Sequence, residues 1–356
     1  MQKVQEVIGK VTGGAAGTKL PTAKLGKHGP EVTRLGYGTM GLSAFYGKAK
    51  PDEERFKVLD RCYDSGELFW DSADMYMDSE DLLGKWFKAN PGKREHIFLA
   101  TKFANKVDEQ GNRSIDSSPE YCRQACEKSL RRLGLPHIDL YYAHRLDGKT
   151  PIEKTVEEMK KLKHEGKIKH LGLSECSSES LRRACKIEHI DAVQIEYSPF
   201  SLEIESEQIG LLKTCRELGV AIVAYSPIGR GMLGGQIRSR NDFEEGDFRK
   251  MAPRFSEENF PKNLQLVDHI NEIAKKKNAT PSQLTLAWIL AQGDDFFPIP
   301  GTTNLDRLDE NIASLKIHLT KEEEHEIRKA CEAAEVHGGR YAEAMTSALY
   351  ADTPAL

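Results

Sequence analysis

The sequence predicts an α/β fold, a closed (β/α)8 TIM barrel with an N-terminal β-hairpin and extra helices after strands 7 and 8. Three observations predict it. Short apolar, β-branched or aromatic runs alternate with longer amphipathic stretches, the pattern of βαβ units and a parallel sheet. Eight such runs follow one another, a number that suits closure into a barrel. Several are apolar throughout, as strands covered on both faces must be.

The elements follow in order. A hairpin is expected at Leu20–Val32, where Gly26 and Gly29-Pro30 mark turns. The eight strands are read as Thr33–Gly38, Phe69–Asp71, Ile97–Thr101, Ile138–Ala143, His170–Ser174, Ala192–Glu196, Ala221–Tyr225 and Phe297–Pro300. Helix starts are marked by Ser118-Pro119, by Thr320-x-x-Glu323, and by the capping-box patterns Thr150-Pro151-Ile152-Glu153 and Thr280-Pro281-Ser282-Gln283. Gly134, Gly166 and Gly219 stand where helices should stop. The gap before the last strand is the longest. It holds a loop from Gly229 to Pro261, then an extra helix over about Pro261–Asn278. Long loops in compact domains are usually functional.

At 356 residues the chain is long for one ordinary domain, but α/β barrels run to this size as single units. Residues 1–20 read as a flexible tail without the apolar stretch of a signal peptide, and 21–356 as one barrel domain. The net charge of −4 lacks the basic signature of a nucleic-acid binder. No apolar run approaches the length of a membrane span. The seven scattered cysteines show no metal-ligand spacing, so reduced thiols, a cytoplasmic location and no metal are expected.

In such barrels chemistry sits at the C-terminal ends of the strands. Asp71, Lys102, His144, Ser174 and Tyr225 stand there, with Gln194 in strand six and Tyr76 five residues past Asp71. Charged residues at these ends are costly unless paired, and Asp71 and Lys102 come from neighbouring strands. Such a group suits proton donation to a carbonyl. A free tyrosine is a poor acid at neutral pH, and a nearby ammonium should lower its pKa. Asp71 would hold Lys102 charged, and His144 could polarise the carbonyl oxygen. A structural ion pair with an incidental Tyr and His is the plain alternative for any one residue. Four of them on the correct barrel face favour chemistry.

The runs FWDSADMY, ATKF, YYAHR, GLSE, VQIEYS, AYSPIGRGMLGG and FPIPGTTNLDRLDEN, in this order, resemble the aldo-keto reductases over nearly all of 21–356. HRLD, GLSE and Gly339-Arg340-Tyr341 are similar to the plant and fungal branch that contains perakine reductase and yeast pyridoxal reductase. The resemblance implies NADPH held without a Rossmann motif and a catalytic tetrad of Asp71, Tyr76, Lys102 and His144. It implies Gly38, Thr39, Met40 and Asp71 beside the nicotinamide ribose, Ser174 and Gln194 at the carboxamide, and Tyr225 stacked on the ring. Ser226, Pro227, Gly229, Arg230 and Gly231 would form the pyrophosphate loop. Gly301, Thr302, Thr303 and Arg307 would read the 2′-phosphate, with Glu310 and Asn311 near adenine. Expected pocket walls are Phe45, Tyr46, Trp70, Arg145 and Tyr341, which suit a bulky or aromatic carbonyl compound.

The sequence departs from the family pattern at several positions. Met77 stands where many relatives have Gly, and Glu175 where Asn is common. Gly301 and Gln236 stand where some branches have Lys, which leaves Arg307 as the full charge for a phosphate. The expected activity is reduction of aldehydes or ketones with a small-molecule carbonyl partner and a possible homo-oligomer. The alternative is a regulatory subunit, since potassium channel β subunits share the fold. The substrate itself is not legible in the sequence, because loops vary freely on this scaffold.

Overall fold

The computed structural model describes residues 19–108 and 110–356. The tail expected over 1–20 therefore lies, up to residue 18, outside the described residues. Eight parallel strands run in sequential order, each paired with the next. They are β1 (Tyr37–Gly38), β2 (Phe69–Asp71), β3 (Phe98–Phe103), β4 (Ile138–Ala143), β5 (Ile168–Ser174), β6 (Ala192–Glu196), β7 (Ala221–Tyr225) and β8 (Phe296–Pro298). The sheet closes through backbone bonds from Gly36 N–H to Pro298 O (3.0 Å) and Gly38 N–H to Pro300 O (3.2 Å). Pro298 and Pro300 lack an N–H. They stand where only their carbonyls are used, while Ile299 N–H turns the other way to Ala224 O at 3.0 Å.

This closure depends on glycine. A Cβ on Gly301 would lie 2.5 Å from Gly38 O, and one on Gly38 would lie 2.9 Å from Ile299 O. Both obstacles are backbone, so the seam itself would have to part. Gly301→Ala is expected to cost about 1–3 kcal/mol, read as a lower urea midpoint. An unchanged midpoint would mean that the seam yields freely.

Alternate strand residues fill the barrel axis with Phe69, Ala100, Leu140, Tyr142, Ala192, Val223 and Phe297. The other face packs on the helices α1 (Asp52–Asp64), α2 (Ser79–Ala89), α3 (Pro119–Leu133), α4 (Ile152–His164), α5 (Ser178–Ile187) and α6 (Leu211–Leu218). After β7 comes an added helix α7 (Asn259–Lys276), then α8 (Pro281–Ala291). After β8 come α9 (Leu305–Ala313) and an added α10 (Lys321–Ala333). α8 is apolar on most sides because α7, α9 and α10 all pack on it. Trp288 is fully buried there. Among the described residues no helix is long and apolar enough to cross a membrane.

The hairpin is Thr22–Lys24 paired with Glu31–Thr33. Its Leu25 and Val32 join the axial cluster, and Lys27 N–H reaches Gly219 O at 2.6 Å, so it plugs the N-terminal end of the barrel. A cavity of about 500 Å³ lies at this same end beside Lys24, Glu31, Arg216 and Asp295. It contains none of the expected site residues.

Local expectations were met unevenly. Thr280 and Thr320 form capping boxes and Ser118 caps α3. Thr150 caps nothing: its hydroxyl donates to Asp147 Oδ2 at 2.8 Å. The first helical N–H of α4, on Ile152, goes instead to Thr353 Oγ1 at 3.2 Å, so the C-terminal segment supplies a cap from outside the helix. A polar hairpin, Asn105–Val107 with Arg113–Ile115, was not expected.

Candidate active site

The ends of β2, β3 and β4 are adjacent, and their inward-pointing residues meet. Lys102 Nζ lies 2.5 Å from Asp71 Oδ1, with the two side chains 0% and 2% exposed. It also donates to Ser72 O at 2.7 Å and to Tyr76 OH at 3.4 Å. The remaining Asp71 oxygen accepts from Gln194 Nε2 at 2.8 Å. A buried ion pair must have its spare polar atoms satisfied, and here Ser72, Tyr76 and Gln194 do this. Tyr76, on the loop after β2, sets its ring edge-on to His144, with centroids 5.9 Å apart. His144 follows β4, and its N–H continues the ladder to Phe103 O at 2.8 Å. Its Nδ1 is buried without a partner, which leaves Nε2 as the nitrogen with access to the mouth.

Burial shapes the titration of this group. It works most strongly against the charge on Lys102, but Asp71 and Tyr76 together outweigh it and keep the ammonium charged, above its ordinary value. Burial pushes the Asp71 carboxyl up, against the pull of Lys102 and Gln194. Tyr76 corrects a sequence expectation. Lys102 does favour the phenolate, yet burial outweighs it and the pKa is raised above the usual tyrosine value. The phenol thus keeps its proton at neutral pH. Burial, then Arg145 and Lys102, hold His144 well below the ordinary histidine value, so its ring is neutral.

Other expected residues fall into place differently. Ser174 ends β5, and Tyr225 ends β7. Ser226, Gly229, Arg230 and Gly231 all have left-handed φ, between 49° and 91°. The Gly229 and Gly231 N–H groups bond back to Ser226 O at 2.9 Å and Ile228 O at 3.0 Å, so the run is a set of tight turns. Pro227 is buried beneath it. The Arg230 side chain does not face outward. It is buried on Glu196 at 3.1 Å and lies over the Tyr341 ring at 4.5 Å. Thr39 is also turned in, donating to Asp71 O at 3.0 Å, while Met40 opens the next helical turn. Arg307, in the first turn of α9, is exposed and bonds the neutral Gln236 Oε1 at 2.6 Å. Thr302 and Thr303 lie partly open just before it. Glu310 is partly open in the same helix, and Asn311 is buried.

Of the expected pocket walls, Phe45 meets Tyr76 edge-on at 6.4 Å. Tyr341 OH lies 3.2 Å from Tyr225 OH. Tyr46 turns away toward Phe248. Trp70 is not in the mouth. Strand alternation puts it on the helix side, fully buried against Trp86 and Phe87.

The aldo/keto reductase family model matches residues 34–332. The chain belongs to that family. It is 52% identical over 342 residues to aldo-keto reductase str7 of Strobilurus tenacellus, spanning 95% of this chain and 99% of that one. It is 50% identical over 338 residues to aldo-keto reductase yakc [NADP(+)] of Schizosaccharomyces pombe, spanning 94% and 98%. Among solved structures, glycerol dehydrogenase AKR11B4 of Gluconobacter oxydans superposes with a TM-score of 0.78 at 26% identity, over 89% of this chain and 97% of that one.

Two supports of this reductase fold were invisible in the sequence. Arg132, on α3, donates to Asp74 O at 3.0 Å, to Glu80 Oε2 at 2.9 Å and to Met77 O. It thereby clamps both ends of the Tyr76 loop. The clamp holds Met77 at a φ of 50°, a left-handed conformation that favours glycine. The second support is an arginine cluster. Arg340 bonds Glu175 at 2.8 and 3.1 Å, Arg254 reaches Glu196 at 3.4 Å, and Tyr225 OH donates to Glu175 at 2.6 Å. Glu175 anchors the C-terminal segment beside Tyr225. A carboxylate at a buried strand end calls for a cation, but not for one 165 residues away.

Proposed function

We propose that the chain reduces aldehydes or ketones to alcohols with NADPH, Tyr76 giving the proton. The observation that carries this reading is one ammonium, Lys102 Nζ, shared between Asp71 and the Tyr76 hydroxyl at 2.5 and 3.4 Å. When bound, NADPH supplies the hydride. The chain's own residues do the rest. Tyr76 donates its phenolic proton to the carbonyl oxygen of the substrate. Lys102 stabilises the negative charge left on that hydroxyl, and Asp71 keeps Lys102 oriented. His144, neutral, offers Nε2 as a hydrogen-bond donor to the same oxygen. The residues fit the cofactor. Ser174 and the free Gln194 Oε1 can hold a carboxamide, the Ser226–Gly231 loop would lie along the pyrophosphate, and Arg307 can hold a 2′-phosphate.

The test is NADPH consumption at its near-ultraviolet band with an aromatic aldehyde, matched to alcohol formed. One alcohol per NADPH is expected. NADPH binding without turnover of any aldehyde or ketone would overturn the reading and favour a regulatory role.

Arg307 gives a separate prediction. Among the described residues its only polar side-chain partner is a neutral amide, so a phosphate would bring it a charged partner. A charge-assisted bond contributes roughly 1.5–3 kcal/mol, or about 10- to 150-fold in affinity. Arg307→Ala should weaken NADPH by that factor and leave NADH nearly unmoved, read by fluorescence quenching. Equal loss for both cofactors would mean that Arg307 only supports its loop.

A further inference from the structure

The charges around the mouth are matched, with one exception. Lys102 has Asp71. Arg249 has Asp247 at 2.5 Å. Arg230, Arg254 and Arg340 share Glu196, Glu203 and Glu175, three cations with three carboxylates. Arg145 has no carboxylate within 4.0 Å among the described residues. Glu175, the nearest in electrostatic reach, already spends both oxygens on Arg340 and Tyr225. Arg145 uses a single nitrogen, Nη1, on His144 O at 2.7 Å and on Ser174 Oγ at 3.4 Å. Its other donors have no partner among the described residues.

Its position is specific. Arg145 follows His144 directly, and Tyr225, Tyr341, Glu175 and Tyr76 lie close enough to favour its guanidinium against the cost of burial. It is thus a half-buried guanidinium among the aromatic walls where a substrate's carbonyl would lie. Burying a charge without a counter-charge is costly. A ligand that brings the counter-charge recovers that cost, and the planar fork of arginine matches a carboxylate in two parallel bonds.

We infer that Arg145 is the specificity-determining residue of this site and that its substrates are oxo-carboxylates, carbonyl compounds carrying a carboxylate a short distance from the reducible group. This rests on the carbonyl-reducing reading above. No covalent step is added: the carboxylate binds and orients, and leaves unchanged.

The experiment compares para-carboxybenzaldehyde with its uncharged methyl ester, using NADPH-loaded wild type, Arg145→Leu and Arg145→Lys. The wild type should prefer the acid in kcat/KM. Arg145→Leu should lower the acid-to-ester ratio by about 10- to 150-fold, mostly through KM for the acid. Arg145→Lys, which keeps the charge but loses the fork, should fall between. A wild type indifferent to the carboxylate, or a Leu variant that slows both aldehydes equally, overturns the inference. Glyceraldehyde phosphate against glyceraldehyde separates the other anion. A larger preference there would overturn the carboxylate assignment in favour of phosphate. If neither aldehyde is turned over by any protein, the carbonyl-reducing reading fails instead. Calorimetric binding of para-(hydroxymethyl)benzoate to the NADP-loaded protein then still decides. Binding that is lost in Arg145→Leu upholds the anion site, and equal binding overturns it.

Discussion

Tyr76→Phe should cut kcat for any carbonyl substrate by about 10²-fold or more, the scale of a lost general acid. The substitution keeps the ring and its edge contacts with Phe45 and His144 and deletes only the hydroxyl. Binding of NADPH should stay close to wild type, so the loss belongs to the chemical step. The pH profile adds a second readout. Burial raises the Tyr76 pKa above its ordinary value of 10 despite Lys102. The wild-type reduction rate should therefore be flat through neutral pH and fall only on the far alkaline side, where the phenol would ionise. A Phe variant that keeps more than half of the wild-type kcat would remove Tyr76 from its role.

The strands were most legible where their boundaries carry a signal. Phe69–Asp71, Ile138–Ala143, Ala192–Glu196 and Ala221–Tyr225 match the sequence reading to the residue. Each is a short run rich in apolar and aromatic residues with a polar residue directly beyond at least one end. The first strand was drawn too long. Glu31–Thr33 belongs to the hairpin and only Tyr37–Gly38 to the barrel, and nothing between them breaks a strand pattern. The last was set one residue late at its start and two residues late at its end, where the seam bonds run on to Pro300 beyond the regular ladder.

The four charged and aromatic groups of the site were legible because a closed barrel sends all its strand ends to one face. What holds them was not. Arg132, Arg254 and Arg340 sit on helices, loops and the C-terminal segment, and their partners are fixed only by tertiary packing. Trp70 shows the converse limit. One residue from Asp71 in sequence, it lies on the opposite face of the strand, and only parity decides between pocket and core.

The ion pair beneath Tyr76 separates stability from catalysis. Lys102→Met retains much of the side-chain volume but leaves Asp71, 2% exposed, without its cation. Removing one partner of a buried pair costs about 3–5 kcal/mol, so the urea midpoint should drop. Turnover should fall by about 10²-fold or more as well, since the charge left on Tyr76 would have no ammonium beside it. Asp71→Asn added to Lys102→Met removes the stranded carboxylate. The Asn side chain can still accept from Gln194, whose amide donates to Asp71 at 2.8 Å in the wild type. Replacing both members of a buried pair is often close to neutral for stability. The double variant should therefore recover most of the lost midpoint and none of the lost turnover. Activity that returned together with stability would mean that Lys102 serves the fold alone. A single variant with unchanged stability would mean that Asp71 is content without it, and that the pair is not what sets the Tyr76 environment.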